Sequence, residues 1–87
     1  MTERLKHYET LIKVLSRGEY SMNDKTKLYA DVKKFCEDNP EITPDFEFRH
    51  RGGRLSSPDV DVTLRNLMDS KRIVSEEHSG LIIILKD

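Results

Sequence analysis

The chain has 87 residues, of which 36% are hydrophobic and 36% are charged, so we predict a single domain over residues 1–87 with one small core beneath a densely charged surface. Its 15 basic and 16 acidic residues leave a formal net charge of −1; because small nucleic-acid-binding domains are usually basic overall, such a partner would require charges sorted onto one face. A single cysteine excludes an internal disulfide, and the longest apolar run, Leu81–Leu85, is too short to cross a bilayer, so we expect a cytoplasmic protein that does not associate with membranes.

Apolar residues at helical spacing predict two helices in the first half of the chain. The first is expected from about Glu3 to Arg17, where one face carries Leu5, Tyr8, Leu11, Ile12 and Leu15. The second is expected to begin at a cap from Asn23 or Asp24 and to end at Asn39-Pro40, because Pro disfavours a helical residue before it. Its apolar stripe contains Leu28, Tyr29, Val32, Phe35 and Cys36.

The segment EITPDFEFRHRGGRL, residues 41–55, has no helical periodicity. Phe46 and Phe48 alternate with charged residues, which predicts a short half-buried strand near residues 45–50. The Gly52-Gly53 pair that follows marks a turn.

The stretch SSPDVDVTLRNLMDSKRI, residues 56–73, predicts a third helix. Ser57 can cap it with Pro58 in the first helical position, although a capping box from Ser56 and Asp59 would start the helix slightly earlier. One face then carries three apolar residues at helical spacing, Val60, Leu64 and Leu67. The following RIVSEEHSGLIIILK predicts two strands around a turn near residues 78–80.

Three helices followed by a hairpin is the element order of a winged helix-turn-helix domain. Residues 57–73 resemble the third helix of that superfamily running into its wing, because the Ser-Pro start, the apolar ladder and the late Ile73 occur together. The resemblance implies an α+β fold of three helices with a C-terminal β-hairpin wing. Residues 41–56 replace the tight turn that usually joins the second and third helices, and we expect their strand to be the third member of the small sheet, displaced from its usual place after the first helix.

In that resemblance the third helix enters the major groove and the wing contacts the backbone or the minor groove. Arg65 and Asn66 would then read guanine and adenine edges, whereas Asp59 and Asp61 would repel phosphates. RHRGGR, residues 49–54, holds three arginines and a histidine without an acid, and is either a phosphate contact or a solvated hairpin tip. The implied nucleic-acid-binding residues are Arg49, His50, Arg51, Arg54, Ser57, Thr63, Arg65, Asn66, Lys71 and Arg72. The basic residues that would extend the patch along the second helix, unless they are merely solvated, are Lys25, Lys27, Lys33 and Lys34.

The leading functional prediction is a small protein that binds double-stranded DNA, either a transcriptional regulator or an accessory protein of a mobile element or virus. The alternative is a winged-helix module for protein interaction or dimerisation without DNA binding, because the Leu81–Leu85 run does not alternate and one of its faces could meet another chain. RNA binding through RHRGGR is a third possibility. The sequence contains no phosphate-binding glycine loop, nucleophile motif or metal-ligand spacing, so we expect neither an enzyme nor a cofactor.

Overall fold

The computed structural model of the chain describes residues 2–41 and 46–85, with the side chains of residues 6–41 and 46–85. It contains three helices and two antiparallel hairpins in an α+β layout consistent with a winged-helix-like fold, which confirms the predicted fold class. In chain order the elements are α1 (Thr2–Leu15), α2 (Thr26–Asp38), β1 (Arg49–Arg51), β2 (Arg54–Ser56), α3 (Pro58–Asp69), β3 (Ile73–Ser75) and β4 (Ile82–Ile84).

One apolar stripe from each helix forms the core, as the helical spacing predicts. Val60, Leu64 and Leu67 of α3 are buried together, and Ile73 at the start of β3 joins them. The chain therefore does turn back after α3 so that its first strand enters the same core. The core residues from the other two helices are Leu11, Val14, Leu15, Leu28, Tyr29, Val32 and Phe35.

The third member of the small sheet lies directly after α1. Ser21 forms an antiparallel bridge with Leu81, and the Ile82 N–H donates to the Tyr20 carbonyl at 2.8 Å. The Met22 N–H also donates to the carbonyl of Gly80 at 2.7 Å. The expectation that this member is displaced into residues 41–56 is therefore wrong, and a single bridged residue occupies the usual place.

A strand does occur near residues 45–50, at Arg49–Arg51, but all three of its residues are exposed, so the expectation that it is half-buried is wrong. Residues 42–45 lie outside the described residues. The observed strand pairs with β2 to form a hairpin separate from the β3–β4 hairpin. Phe46 and Phe48 precede the strand, and both pack against the core as partly buried side chains. The insertion between α2 and α3 thus forms a second, independent hairpin.

The hydroxyl of Tyr20 connects the segment after α1 to α2. Tyr20 is only 7% exposed, and its hydroxyl donates to Asp31 Oδ2 at 2.6 Å. Burial, together with the hydrogen bond to Asp31 and the negative charge of that carboxylate, raises the pKa of Tyr20 to about 12. The folded state therefore favours the protonated phenol more strongly than the unfolded state does.

This raised pKa predicts a loss of stability at alkaline pH. The stabilisation is complete below the ordinary tyrosine pKa of 10.0 and is lost as the pH rises towards about 12, because the unfolded chain releases the proton first. In urea unfolding at about pH 9 and about pH 11, Tyr20→Phe should lose less stability between the two pH values than the unsubstituted protein does. Tyr8→Phe is the control, and an equal loss in all three proteins would contradict the assignment.

Candidate nucleic-acid interface

The β1–β2 hairpin presents three arginines on one face. Its ladder pairs Arg49 with Ser56, His50 with Leu55, and Arg51 with Arg54, and successive strand residues point to opposite faces. Arg49, Arg51 and Arg54 therefore share a face, here called the arginine face, and all three are exposed. The exposed His50 lies on the opposite face, so the hairpin separates it from the arginines with which the sequence grouped it.

A two-residue turn closes this hairpin. Gly52 and Gly53 both have positive φ, 55° and 78°, the backbone that a type I′ turn requires. Few residues other than glycine or asparagine adopt this conformation without strain. The predicted Gly-Gly turn is confirmed, and it places Arg51 and Arg54 directly across from each other.

The charges of the arginine face are only partly compensated within the chain. Arg49 lies 3.3 Å from the Glu47 carboxylate, and both side chains are exposed. Hydrogen bonds from Thr26, with a smaller contribution from the charge of Arg54, lower the pKa of Asp24. Within the described part of the chain, neither Arg51 nor Arg54 forms an ion pair. Like charges on directly opposite residues destabilise a ladder, so the positive charge at the tip does not serve the hairpin itself.

The opposite side of the hairpin is attached to the domain. Leu55 packs against the core as a partly buried side chain, and α2 packs against β2. The arginine face therefore lies on a supported surface, with only the two-glycine tip in open space.

The buried hydroxyl of Ser57 ties the start of the hairpin to α3. Ser57 is fully buried; its Oγ accepts from the Val60 N–H at 3.2 Å and donates to the Glu47 carbonyl at 2.6 Å. The Glu47 N–H in turn donates to Asp59 Oδ2 at 2.6 Å. Ser57 is the predicted helix cap, but the prediction that it contacts DNA is wrong because its side chain has no exposed surface.

The exposed face of α3 is narrower than the sequence predicts. Thr63 is only 3% exposed, and its Oγ1 donates to the Asp59 carbonyl at 2.6 Å, so the expectation that Thr63 faces a groove is wrong. Val62 and Arg65 are exposed, and Asn66 is half-buried. Of the predicted base-reading residues, only Arg65 and part of Asn66 can reach a partner.

Asp61 does not act as a free negative charge on α3. It accepts hydrogen bonds from Lys25 Nζ at 2.8 Å and from the Tyr29 hydroxyl at 2.5 Å. Burial opposes the charge of Lys25, but the hydrogen bonds to Asp61 and Tyr29 outweigh it and raise the pKa of Lys25. The predicted repulsion between Asp61 and phosphate is therefore offset by a lysine that was expected to belong to the basic patch.

The other end of α3 also carries basic residues. The Lys71 N–H donates to the Met68 carbonyl and the Arg72 N–H to the Leu67 carbonyl, the two bonds of a Schellman motif. Lys71 has a φ of 62° at the position where glycine is usual, and both basic side chains are exposed. Basic groups therefore lie at both ends of α3, which its 12 residues separate by about 18 Å.

The β3–β4 hairpin, which is the predicted wing, is acidic at its turn. Its turn contains the exposed acids Glu76 and Glu77. Ile82 and Ile84 of β4 pack against the core, whereas the opposite face carries exposed apolar side chains. These are Val74, 39% exposed, Ile83, 44% exposed, and Leu85, 42% exposed.

Comparison of the chain with protein-family models, curated proteins and solved structures gives no match. Among the helices in the described ranges, none has the length and apolar character needed to cross a membrane. A functional proposal therefore depends on the geometry of the two hairpins and α3.

The two hydrogen bonds of Ser57 predict a large effect of a small substitution. Ser57→Ala removes the α3 cap and leaves the Val60 N–H and the Glu47 carbonyl without this partner, which should lower the free energy of unfolding by about 1–3 kcal/mol. Urea denaturation measures the change, and Ser56→Ala at the neighbouring half-buried position is the matched control. Equal losses in the two variants would show that the Ser57 hydroxyl has no special role.

Proposed function

We propose that the protein binds double-stranded DNA through the arginine face of the β1–β2 hairpin. The observation that carries the proposal is the exposed face on which Arg49, Arg51 and Arg54 are held together without an acidic residue in either strand. Guanidinium groups bind phosphate oxygens through two parallel hydrogen bonds and keep their charge at any physiological pH. A role as a small transcriptional regulator, or as an accessory protein of a mobile element or virus, belongs to the same proposal.

The distribution of charge answers the objection raised by the net charge of −1. Lys25 and Asp61 neutralise each other beside α3, and Glu76 and Glu77 lie on the other hairpin. The charge that would meet the DNA backbone is therefore concentrated on the arginine face, and local potential, rather than total charge, governs association with a polyanion.

The position of α3 supports a duplex as the partner. The arginine face adjoins its N-terminal end, and Lys71 and Arg72 follow its C-terminal end about 18 Å away. This distance is about half of a helical turn of B-DNA, whose repeat is about 34 Å. Basic groups with this spacing can contact the backbone on both sides of a groove.

Salt dependence tests the proposal directly. Affinity for a duplex should fall steeply as salt rises from about 50 mM, and the double variant Arg51→Gln/Arg54→Gln should bind more weakly with a salt slope smaller by about two, since each arginine that neutralises a phosphate charge contributes about 0.9, whether it lies on the backbone or in a groove. Fluorescence anisotropy at several salt concentrations measures both quantities. The variant should be at least as stable as the unsubstituted protein because it lacks the like-charge pair, so unfolding would not explain the loss.

Lys34→Gln is the control for a loss of charge outside the arginine face. Lys34 was predicted to extend the basic patch, but its exposed side chain borders a pocket with Asp31 and Asp38 of α2 and Val14 of α1, which places it on the side of α2 that meets α1. Absence of duplex binding at about 50 mM salt, or an equal effect of Lys34→Gln, would contradict the proposal. Tighter binding to single-stranded RNA than to duplex DNA would reassign the arginine face to RNA.

A second candidate function, self-association, is favoured by the outer face of the β3–β4 hairpin. Val74 and Ile83 are directly paired across the ladder, and Leu85 lies on the same face. Three exposed apolar side chains in one place favour a protein partner, and they share no residue with the arginine face.

Sedimentation at increasing concentration distinguishes this candidate. The unsubstituted protein should show a rising average mass, whereas Ile83→Lys should remain monomeric because the charge would be buried in the interface. Val62→Lys changes an exposed apolar residue of α3 and should behave like the unsubstituted protein. A strict monomer at the highest soluble concentration would exclude self-association through this face.

A further inference from the structure

The tip of the β1–β2 hairpin is a bare backbone turn flanked by two arginines. Arg51 and Arg54 are cross-strand neighbours, and the two residues between them are glycines. At Gly52 and Gly53 no atom lies within 4 Å of the position that a Cβ would occupy. The tip therefore projects into open space and can approach a partner closely, with two guanidinium groups on one side of it.

We propose that this tip recognises the minor groove of A·T-rich duplex DNA, with the side chains of Arg51 and Arg54 in the groove and Arg49 on an adjacent phosphate. The inference deepens the proposed function and depends on it. It names the groove and the base composition that the arginine face selects.

The dimensions of the hairpin favour a DNA groove that is entered by arginine side chains alone, rather than one that is entered by the whole two-stranded ribbon. A two-stranded ribbon fits the major groove, which is about 12 Å wide and 8.5 Å deep, but not the minor groove, which is about 6 Å wide. The strands have three residues each, or about 10 Å, and Leu55 on their opposite face packs against the core. Because Leu55 holds that face against the domain and leaves only His50 exposed on it, DNA cannot surround the ribbon as a major groove would, and only the arginine side chains can reach inward.

The chemistry of the arginine face favours A·T pairs. In the minor groove these pairs present only acceptors, whereas a G·C pair adds the amino donor on guanine C2. Arginine is a donor without acceptor capacity, so the guanine amino group obstructs it. A narrow A·T-rich minor groove also has an enhanced negative potential that attracts arginine.

Three duplexes of equal length test the inference: one of A·T pairs, one of G·C pairs, and one of inosine·cytosine pairs. Inosine is guanine without the 2-amino group, so its pair resembles A·T in the minor groove and G·C in the major groove. We expect the protein to bind the A·T and inosine·cytosine duplexes alike and the G·C duplex on the order of tenfold more weakly, about the effect of one discriminated base pair. Arg51→Gln/Arg54→Gln should lose this preference, and Lys34→Gln should keep it.

The outcomes separate this inference from the proposed function. Equal binding of all three duplexes, or weak binding of the inosine·cytosine duplex together with the G·C duplex, would overturn minor-groove recognition while duplex binding stands. Retention of the preference by Arg51→Gln/Arg54→Gln would also overturn it. If no duplex binds at about 50 mM salt, the proposed function fails and the inference fails with it.

Discussion

The hydroxyl of Ser57 is the interaction on which the arrangement of hairpin and helix depends. It is buried with both its donor and its acceptor in use, one towards Glu47 and one towards Val60. Asp59 completes the contact by accepting from the Glu47 N–H. Glu47, two residues before β1, is thereby fixed to the first turn of α3, and since a buried polar group without a partner is costly, these elements must move together. The arginine face is therefore held at a defined position relative to α3.

The two hairpins divide the surface by charge and polarity. The hairpin between α2 and α3 carries the arginines, and the C-terminal hairpin carries acids at its turn and apolar side chains on its outer face. Arg51 opposite Arg54 disfavours the ladder, and Lys71 holds a left-handed backbone conformation in which glycine would be less strained. The Arg51–Arg54 pair and Lys71 thus each reduce the stability of the fold slightly. Residues that lower stability are expected where they serve binding.

Local patterns in the sequence predicted the elements, and contacts between distant segments decided the rest. The apolar ladder of Val60, Leu64 and Leu67 predicted α3 and its register because helical periodicity is local, and Gly52-Gly53 predicted a turn because two positive φ values require such residues. The bridge between Ser21 and Leu81 could not be predicted, since a single bridged residue has no periodicity. Its surroundings include a hydrogen bond from Ser21 to Ser79, 58 residues away.

The same distinction applies to most of the candidate site. Thr63 is the exception, because it lies three residues after Val60 and four before Leu67, so helical spacing alone places it on the buried face of α3 and its burial could have been predicted. The charges of Asp61 and Lys25 were each visible in the sequence, but their pairing depends on how α2 approaches α3. The role of Glu47 in joining the hairpin to α3 could not be predicted, because its backbone N–H and carbonyl make the contacts. Every non-proline residue has these groups, so the sequence does not distinguish Glu47.

The two candidate functions are compatible because they use different hairpins. A dimer formed through Val74, Ile83 and Leu85 would leave the arginine face of each copy free. Two such faces joined in one particle would bind a duplex more tightly than either alone, provided that their spacing matches the grooves, because the second contact becomes intramolecular. Such avidity would lower the number of basic residues that each chain needs in order to bind a polyanion.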